Sequence, residues 1–83
     1  MVEVFRTNVH DYRQAAMLIE KIQSAFSDYT ANFDLEDCDK ILRVKSAKGP
    51  IQSSTLIGLL RKFGFDAEVL PDDIPVDEVL TLL

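Results

Sequence analysis

The hydrophobic period of this chain switches repeatedly, and that switching restricts it to a small set of folds. Val2 and Val4 alternate with Glu3 and Phe5, the two-residue repeat of a strand running from Val2 to Thr7. Ala15, Leu18, Ile19, Ile22, Ala25 and Phe26 then recur at three and four residues, with Arg13, Glu20, Lys21 and Gln23 on the opposite face. That spacing predicts an amphipathic helix from about Asp11 to Phe26, capped by Asn8, His10 or Asp11. From Tyr29 the period returns to two. Ala31, Phe33 and Leu35 alternate with Asn32, Asp34 and Glu36, and the polar turn Asp37-Cys38-Asp39-Lys40 leads into Ile41-Leu42-Arg43-Val44-Lys45. The two runs predict a hairpin in which Ile41 or Leu42, with Val44, faces inward.

Lys48-Gly49-Pro50 breaks the second limb. Ser53 or Ser54 is then placed to cap a second helix, whose stripe is Leu56, Ile57, Leu59, Leu60 and Phe63. Gly64 stands where a left-handed C-cap is wanted, and Phe65 to Leu70 makes a last strand that ends at Pro71. The element order is β-α-β-β-α-β, which predicts an α+β domain over residues 1–70. Its four-stranded antiparallel sheet has the expected order 4-1-3-2, with both helices on one face. The expected core between helices and sheet is Ile19, Ile22, Phe33, Leu35, Val44, Leu59 and Leu60. Residues 71–83 lie beyond this unit, where Val76, Val79, Leu80 and Leu83 recur at helical spacing after Pro75. They predict a short amphipathic helix or tail that covers the open sheet face, docks in a second subunit or meets a protein partner, or else frays as an ordinary terminus.

Composition narrows the function classes. With 83 residues, one small core must carry the fold, and 47% hydrophobic against 28% charged residues is an ordinary globular balance. Nine basic against fourteen acidic residues leave a net charge of −5, which repels phosphate backbones and argues against nucleic acid as a partner. The acidic tail argues likewise against an anionic membrane. A lone cysteine, Cys38, rules out an internal disulfide framework and fits a reducing compartment. Apolar runs are too short for a leader peptide or a spanning helix, so a soluble cytoplasmic protein is expected. Ser53-Ser54-Thr55 has no histidine nearby, His10 being the sole one, and the carboxylates imply no apolar pocket. An enzyme is not expected.

One family resemblance emerges from the second half of the chain. Asn32-Phe33-Asp34-Leu35, then Lys40-Ile41-Leu42-Arg43-Val44, then Leu56 through Leu70 with Lys62, Gly64 and Phe65 at the corner, resemble the heavy-metal-associated (HMA) domain. That family comprises copper chaperones and the N-terminal modules of metal-pumping ATPases. The resemblance covers about residues 2–70 and implies a ferredoxin-like sandwich. In the family the first loop reads Met-x-Cys-x-x-Cys, because two thiolates select soft ions such as Cu(I). Here the equivalent loop is Thr7-Asn8-Val9-His10-Asp11 and holds no thiol. The two thiol positions fall on Asn8 and Asp11, or on Val9 and Tyr12 in the alternative register. Lys62 and Phe65 match the corner that lies beside the metal loop in the family, and only their location is carried over.

A different ligand set is also conceivable. The topology brings the first loop, the hairpin turn and the corner after the second helix to one end of the sheet. That collects His10, Asp11, Cys38, Asp37 and Asp39 on one rim, and imidazole, thiolate and carboxylate are all zinc ligands. Distance opposes a His10–Cys38 chelate, since the first two strands are not neighbours and stand about 9–10 Å apart. Asp34, Glu36, Asp37 and Asp39 lack the ordered spacing and the glycine of a calcium loop. The foremost expectation is therefore a non-catalytic interaction module on an HMA-like scaffold with a degenerate metal loop and no cofactor, engaging a protein partner or a second copy. Two alternatives stay open: a transition-metal-handling protein using His10, Asp11 and Cys38, and a small-molecule-binding regulatory domain.

Overall fold

The computed structural model describes residues 1–70, and the stripe Val76, Val79, Leu80 and Leu83 lies outside the described residues. Six elements stand in the order β1 (Val2–Thr7), α1 (Tyr12–Ala25), β2 (Tyr29–Asp34), β3 (Ile41–Ser46), α2 (Ser53–Lys62) and β4 (Ala67–Val69). The strands form one antiparallel sheet in the order β2-β3-β1-β4, which reads 4-1-3-2 when counted from the β4 edge. No helix among the described residues is long and apolar enough to cross a membrane.

Register decides which side chains face the helices. Phe5 stands beside Leu42, which in turn stands beside Phe33, and Val44 stands beside Ala31. Side chains alternate along a strand, so these residues share one face. Phe5, Ala31, Leu42 and Val44 form a single buried cluster with Ala15, Leu18 and Ile22 of α1 and Leu56 and Leu60 of α2, and Phe33 packs against it. Both helices therefore cover the same side of the sheet. The alternate positions, Val2, Val4 and Arg6 of β1 and Ile41, Arg43 and Lys45 of β3, lie on the other side. Of the two inward candidates at the start of β3, Leu42 enters the core, while Ile41 is on the opposite face.

Three expected core positions are corrected. Ile19, Phe33 and Leu59 are only half-buried and pack on the periphery of the cluster, whereas Phe5, Val9, Leu18 and Leu42 are fully buried. Ile19 and Leu59 each adjoin a fully buried leucine, and the angle of about 100° between successive helix positions sets them at the edge of the layer, while Phe33 lies on the edge strand β2. Strand ends differ as well. β2 stops at Asp34 and β4 spans three residues, both shorter than the apolar alternation predicts. The cap of α2 also moves. Gln52 is its N-cap and makes no side-chain capping bond; the Gln52 amide instead donates to Tyr29 Oη at 2.9 Å. That tyrosine stacks on Phe26, with ring centroids 4.5 Å apart, so the end of α1, the start of β2 and the start of α2 are joined through one ring.

At its other end α2 closes as expected. Gly64 adopts φ +91°, its amide donates to the Arg61 carbonyl, and the Phe65 amide donates to the Leu60 carbonyl. This pair of bonds is the Schellman arrangement, and the left-handed backbone it needs favours glycine. It turns the chain sharply towards β4, and so fixes the corner beside the first loop.

Candidate functional site

The loop between β1 and α1 is tied down at both of its ends and in its middle. Thr7, 8% exposed, donates from its amide to the Asp39 carbonyl at 3.1 Å and from Oγ1 to the Lys40 carbonyl at 2.6 Å. The same Oγ1 accepts from the Val9 amide at 3.2 Å. Asn8 faces the corner after α2: its amide donates to the Asp66 carbonyl at 3.3 Å, and its Oδ1 accepts from the Asp66 amide at 2.8 Å. Val9 is fully buried in the core cluster. Asp11 is the N-cap of α1, its Oδ1 accepting from the Arg13 amide at 2.8 Å. First loop, hairpin turn and corner thus meet at one end of the sheet, and what joins them is hydrogen bonding through Thr7 and Asn8.

That arrangement accounts for every position that aligns with a thiol of the HMA loop. Asn8 Oδ1 and Asp11 Oδ1 each accept a backbone amide, Val9 is core, and Tyr12 is 67% exposed at the start of α1. Lys62 is exposed in the last turn of α2, and Phe65 packs against the core beside Ala67. A Thr7→Val substitution keeps the shape but strands the Lys40 carbonyl and the Val9 amide. We expect it to cost about 1–3 kcal/mol. Thr7→Ser, which keeps the hydroxyl, should retain most of the stability, and equal denaturation midpoints for the two variants would refute the role given to Oγ1.

The His10–Asp11–Cys38 set is not assembled. Among the described residues, the acidic, histidine and cysteine side chains that gather three or more ligand atoms within 4.8 Å of one another are Asp37, Cys38 and Asp39. His10 and Asp11 are not among them. Within the hairpin turn Asp37 Oδ1 already accepts from the Asp39 amide at 2.9 Å, and Asp39 lies 3.8 Å from Arg6. Cys38 is exposed. The turn is held by Lys40, which takes a left-handed φ of +49° and reaches back with Nζ to the Leu35 carbonyl at 3.0 Å.

Next to the joint, an open groove of about 480 Å³ is lined by Arg6, Thr7, Asn8, Arg61, Asp66, Ala67 and Glu68. Arg6 crosses it to Glu68 at 2.6 Å. The Arg6 guanidinium is held above its ordinary value, first by that hydrogen bond, then by the charge of Glu68. Partial desolvation opposes the shift, and Asp39 adds a smaller attraction. Arg6 is therefore a committed cation, engaged by two carboxylates of the same chain.

The open face of the sheet is a different surface. Across it, register sets Val4 beside Arg43 and Arg43 beside Asn32, and sets Val2 beside Lys45 and Lys45 beside Thr30. Among the described residues, Arg43 and Lys45 have no carboxylate within 4.0 Å, in contrast to Arg6. On this face two cations with no ion pair among the described residues therefore stand beside the exposed Val2 and the half-buried Val4. Neither cation stands out in the sequence as a site residue, although the alternation of Arg43 and Lys45 with Leu42 and Val44 carries the signal.

The edges of the sheet are less accessible than this face. On β2 the Tyr29 amide donates to the Phe26 carbonyl and the Ala31 amide to Gln23 Oε1, both at 3.0 Å, so that edge is partly blocked by the end of α1. The opposite edge, β4, offers three residues. Comparisons with protein-family models, with curated proteins and with solved structures find no match for this chain.

Proposed function

We propose that this chain is a non-catalytic binding module built on an HMA-like, ferredoxin-like scaffold. In it the loop that would hold a metal has become a structural joint, and the open sheet face serves as the contact surface for protein. The observation that carries this reading is the commitment of the loop: Thr7, Asn8 and Asp11 are consumed by hydrogen bonds to the hairpin, the corner and the helix start. A metal centre needs ligand atoms that are free to converge, and soft ions need thiolates. The loop supplies no thiolate, and its imidazole, His10, does not join Asp37, Cys38 and Asp39 in a cluster of ligand atoms. The single exposed thiol of Cys38 fits a soluble domain of the cytoplasm.

The alternatives receive less support. A metal-handling role through His10, Asp11 and Cys38 requires their ligand atoms to converge, and among the described residues they form no such cluster. A regulatory role with a small ligand would place that ligand in the groove at Arg6, where the charges already neutralise one another and the walls are open. On the sheet face Arg43 and Lys45 stand beside Val4 and Val2, and it is this mixed side of the sheet, left uncovered by the described residues, that we read as the contact surface.

Competition dialysis against a chelator with Cu(I), Zn(II) and Ni(II), in the presence of reductant, tests the proposal. Metal should be lost to the chelator at monomeric concentrations, with Cys38→Ser behaving like the parent chain. Stoichiometric retention of Cu(I) that disappears in Cys38→Ser would overturn the binding-module reading in favour of a metal protein.

A further inference from the structure

One side chain closes the β2 edge of the sheet. The Ala47 amide donates to the Asp28 carbonyl at 3.0 Å, and the ladder with β3 runs in register from Tyr29 to Asp34. Residues that exchange bonds alternate with residues that do not in an antiparallel ladder, so the backbone groups of Thr30, Asn32 and Asp34 turn to β3. Those of Tyr29, Ala31 and Phe33 turn outward. An outward row of this kind is what another strand pairs with. Here the Tyr29 amide is taken by the Phe26 carbonyl and the Ala31 amide by Gln23 Oε1, each at 3.0 Å. The first bond belongs to the turn between α1 and β2; the second comes from an exposed side chain in the last turn of α1. We propose that the β2 edge is a strand-pairing surface for a second copy of this chain, and that the Gln23 carboxamide holds it shut.

Register selects the second copy as occupant. Two copies of one strand paired antiparallel are related by a dyad, so each donor offered by one chain is matched by an acceptor of the other. With the dyad through Asn32, Ala31 exchanges its outward bonds with Phe33 of the second copy, and Phe33 with Ala31 of that copy. The Tyr29 amide keeps its bond to Phe26, and only Gln23 has to yield. A dyad through Ala31 would break the Tyr29 bond as well, and one through Phe33 would need Leu35, which lies beyond the end of β2. Side chains suit the Asn32 register. Thr30 comes opposite Asp34 of the second copy on the open face, a hydroxyl against a carboxylate, and the small buried Ala31 comes opposite the half-buried Phe33 on the helix face. Water satisfies an outward edge amide just as a carboxamide does. What the Gln23 side chain adds is an obstacle that another strand must displace before it can pair. This concerns the backbone of one edge, and it does not depend on the open face being a contact surface.

The test uses the full chain in reductant, which removes disulfide dimers through Cys38. Gln23→Ala deletes the acceptor and keeps a strong helix former in α1. At dilute concentration its Ala31 amide should exchange with solvent deuterium about fivefold faster than in the parent chain, the effect of losing one such bond. The Leu42 and Val44 amides, inside the ladder to β1, should keep their protection. Gln23→Glu retains an acceptor and should match the parent. By sedimentation, Gln23→Ala should self-associate with a constant raised about twenty-five-fold, because the parent dimer forfeits a guard bond in each chain. Adding Asn32→Lys sets like charges opposite each other at the dyad, and should return the chain to monomer while Ala31 still exchanges fast. An Ala31 exchange rate that Gln23→Ala leaves unchanged would overturn the assignment. So would a Gln23→Ala chain that associates no more than the parent, or association that survives Asn32→Lys, which belongs to another surface. No result here depends on retention of metal against a chelator, so either reading can fall while the other stands.

Discussion

Phe5→Ala is expected to destabilise the domain by about 3–5 kcal/mol, the cost of removing a large aromatic from a packed interior. Phe5 has no exposed surface, stands beside Leu42 on β3 and Val69 on β4, and belongs to the cluster that both helices close over. A domain of this size holds on the order of 5–15 kcal/mol in total, so the loss removes a large share of its stability. Val4→Ala, one residue away on the open face, is the control, since Val4 is only half-buried there. Chemical denaturation with an unchanged slope would isolate the difference. Equal midpoints for the two variants would mean that β1 presents its other face to the helices.

The sequence carries the elements far better than the faces. All six elements stand where the switches of period place them, because strands and helices impose repeats of 2 and 3.6 that a local window can read. The inward face of β1 is not legible in the same way. Val2 and Val4 make one apolar row, and Phe5 with Thr7 makes the other, so period alone does not choose between them. The same ambiguity holds at Ile41 and Leu42, adjacent apolar residues of which only Leu42 belongs to the core cluster. Both are settled by register across the sheet, which is a property of pairs and not of one strand.

The joint at the end of the sheet is illegible for a related reason. Thr7 meets a carbonyl 33 residues away, and Asn8 an amide 58 residues away. Strand order alone indicates that these loops share one rim. Which atoms meet there depends on loop geometry that no spacing rule encodes. The same applies to α2, where two serines have the composition of caps. The oxygen that serves there belongs to Tyr29, on another element. In each case a polar residue type is a sound loop or cap signal, while its partner lies beyond the reach of local pattern.

The second large effect separates two neighbouring leucines in α2. Both belong to the apolar stripe read from the sequence, yet Leu60 has no exposed surface and Leu59 is half-buried at the edge of the cluster. The carbonyl of Leu60 also accepts two amides at the helix end, from Phe63 and Phe65, so its position fixes the corner that Asn8 grips through Asp66. Leu60→Ala should therefore cost about 2–5 kcal/mol, from lost transfer energy plus the cavity left beneath a helix held at its end. Leu59→Ala leaves a site that water and neighbouring side chains can fill. It should cost well under half as much, because only the buried part of its surface contributes. Thermal or denaturant melts of the two variants decide the rotation of α2. A larger loss for Leu59→Ala would require the helix to turn by about 100° about its axis, one residue's step. That rotation would carry Leu56 and Leu60 together off the core.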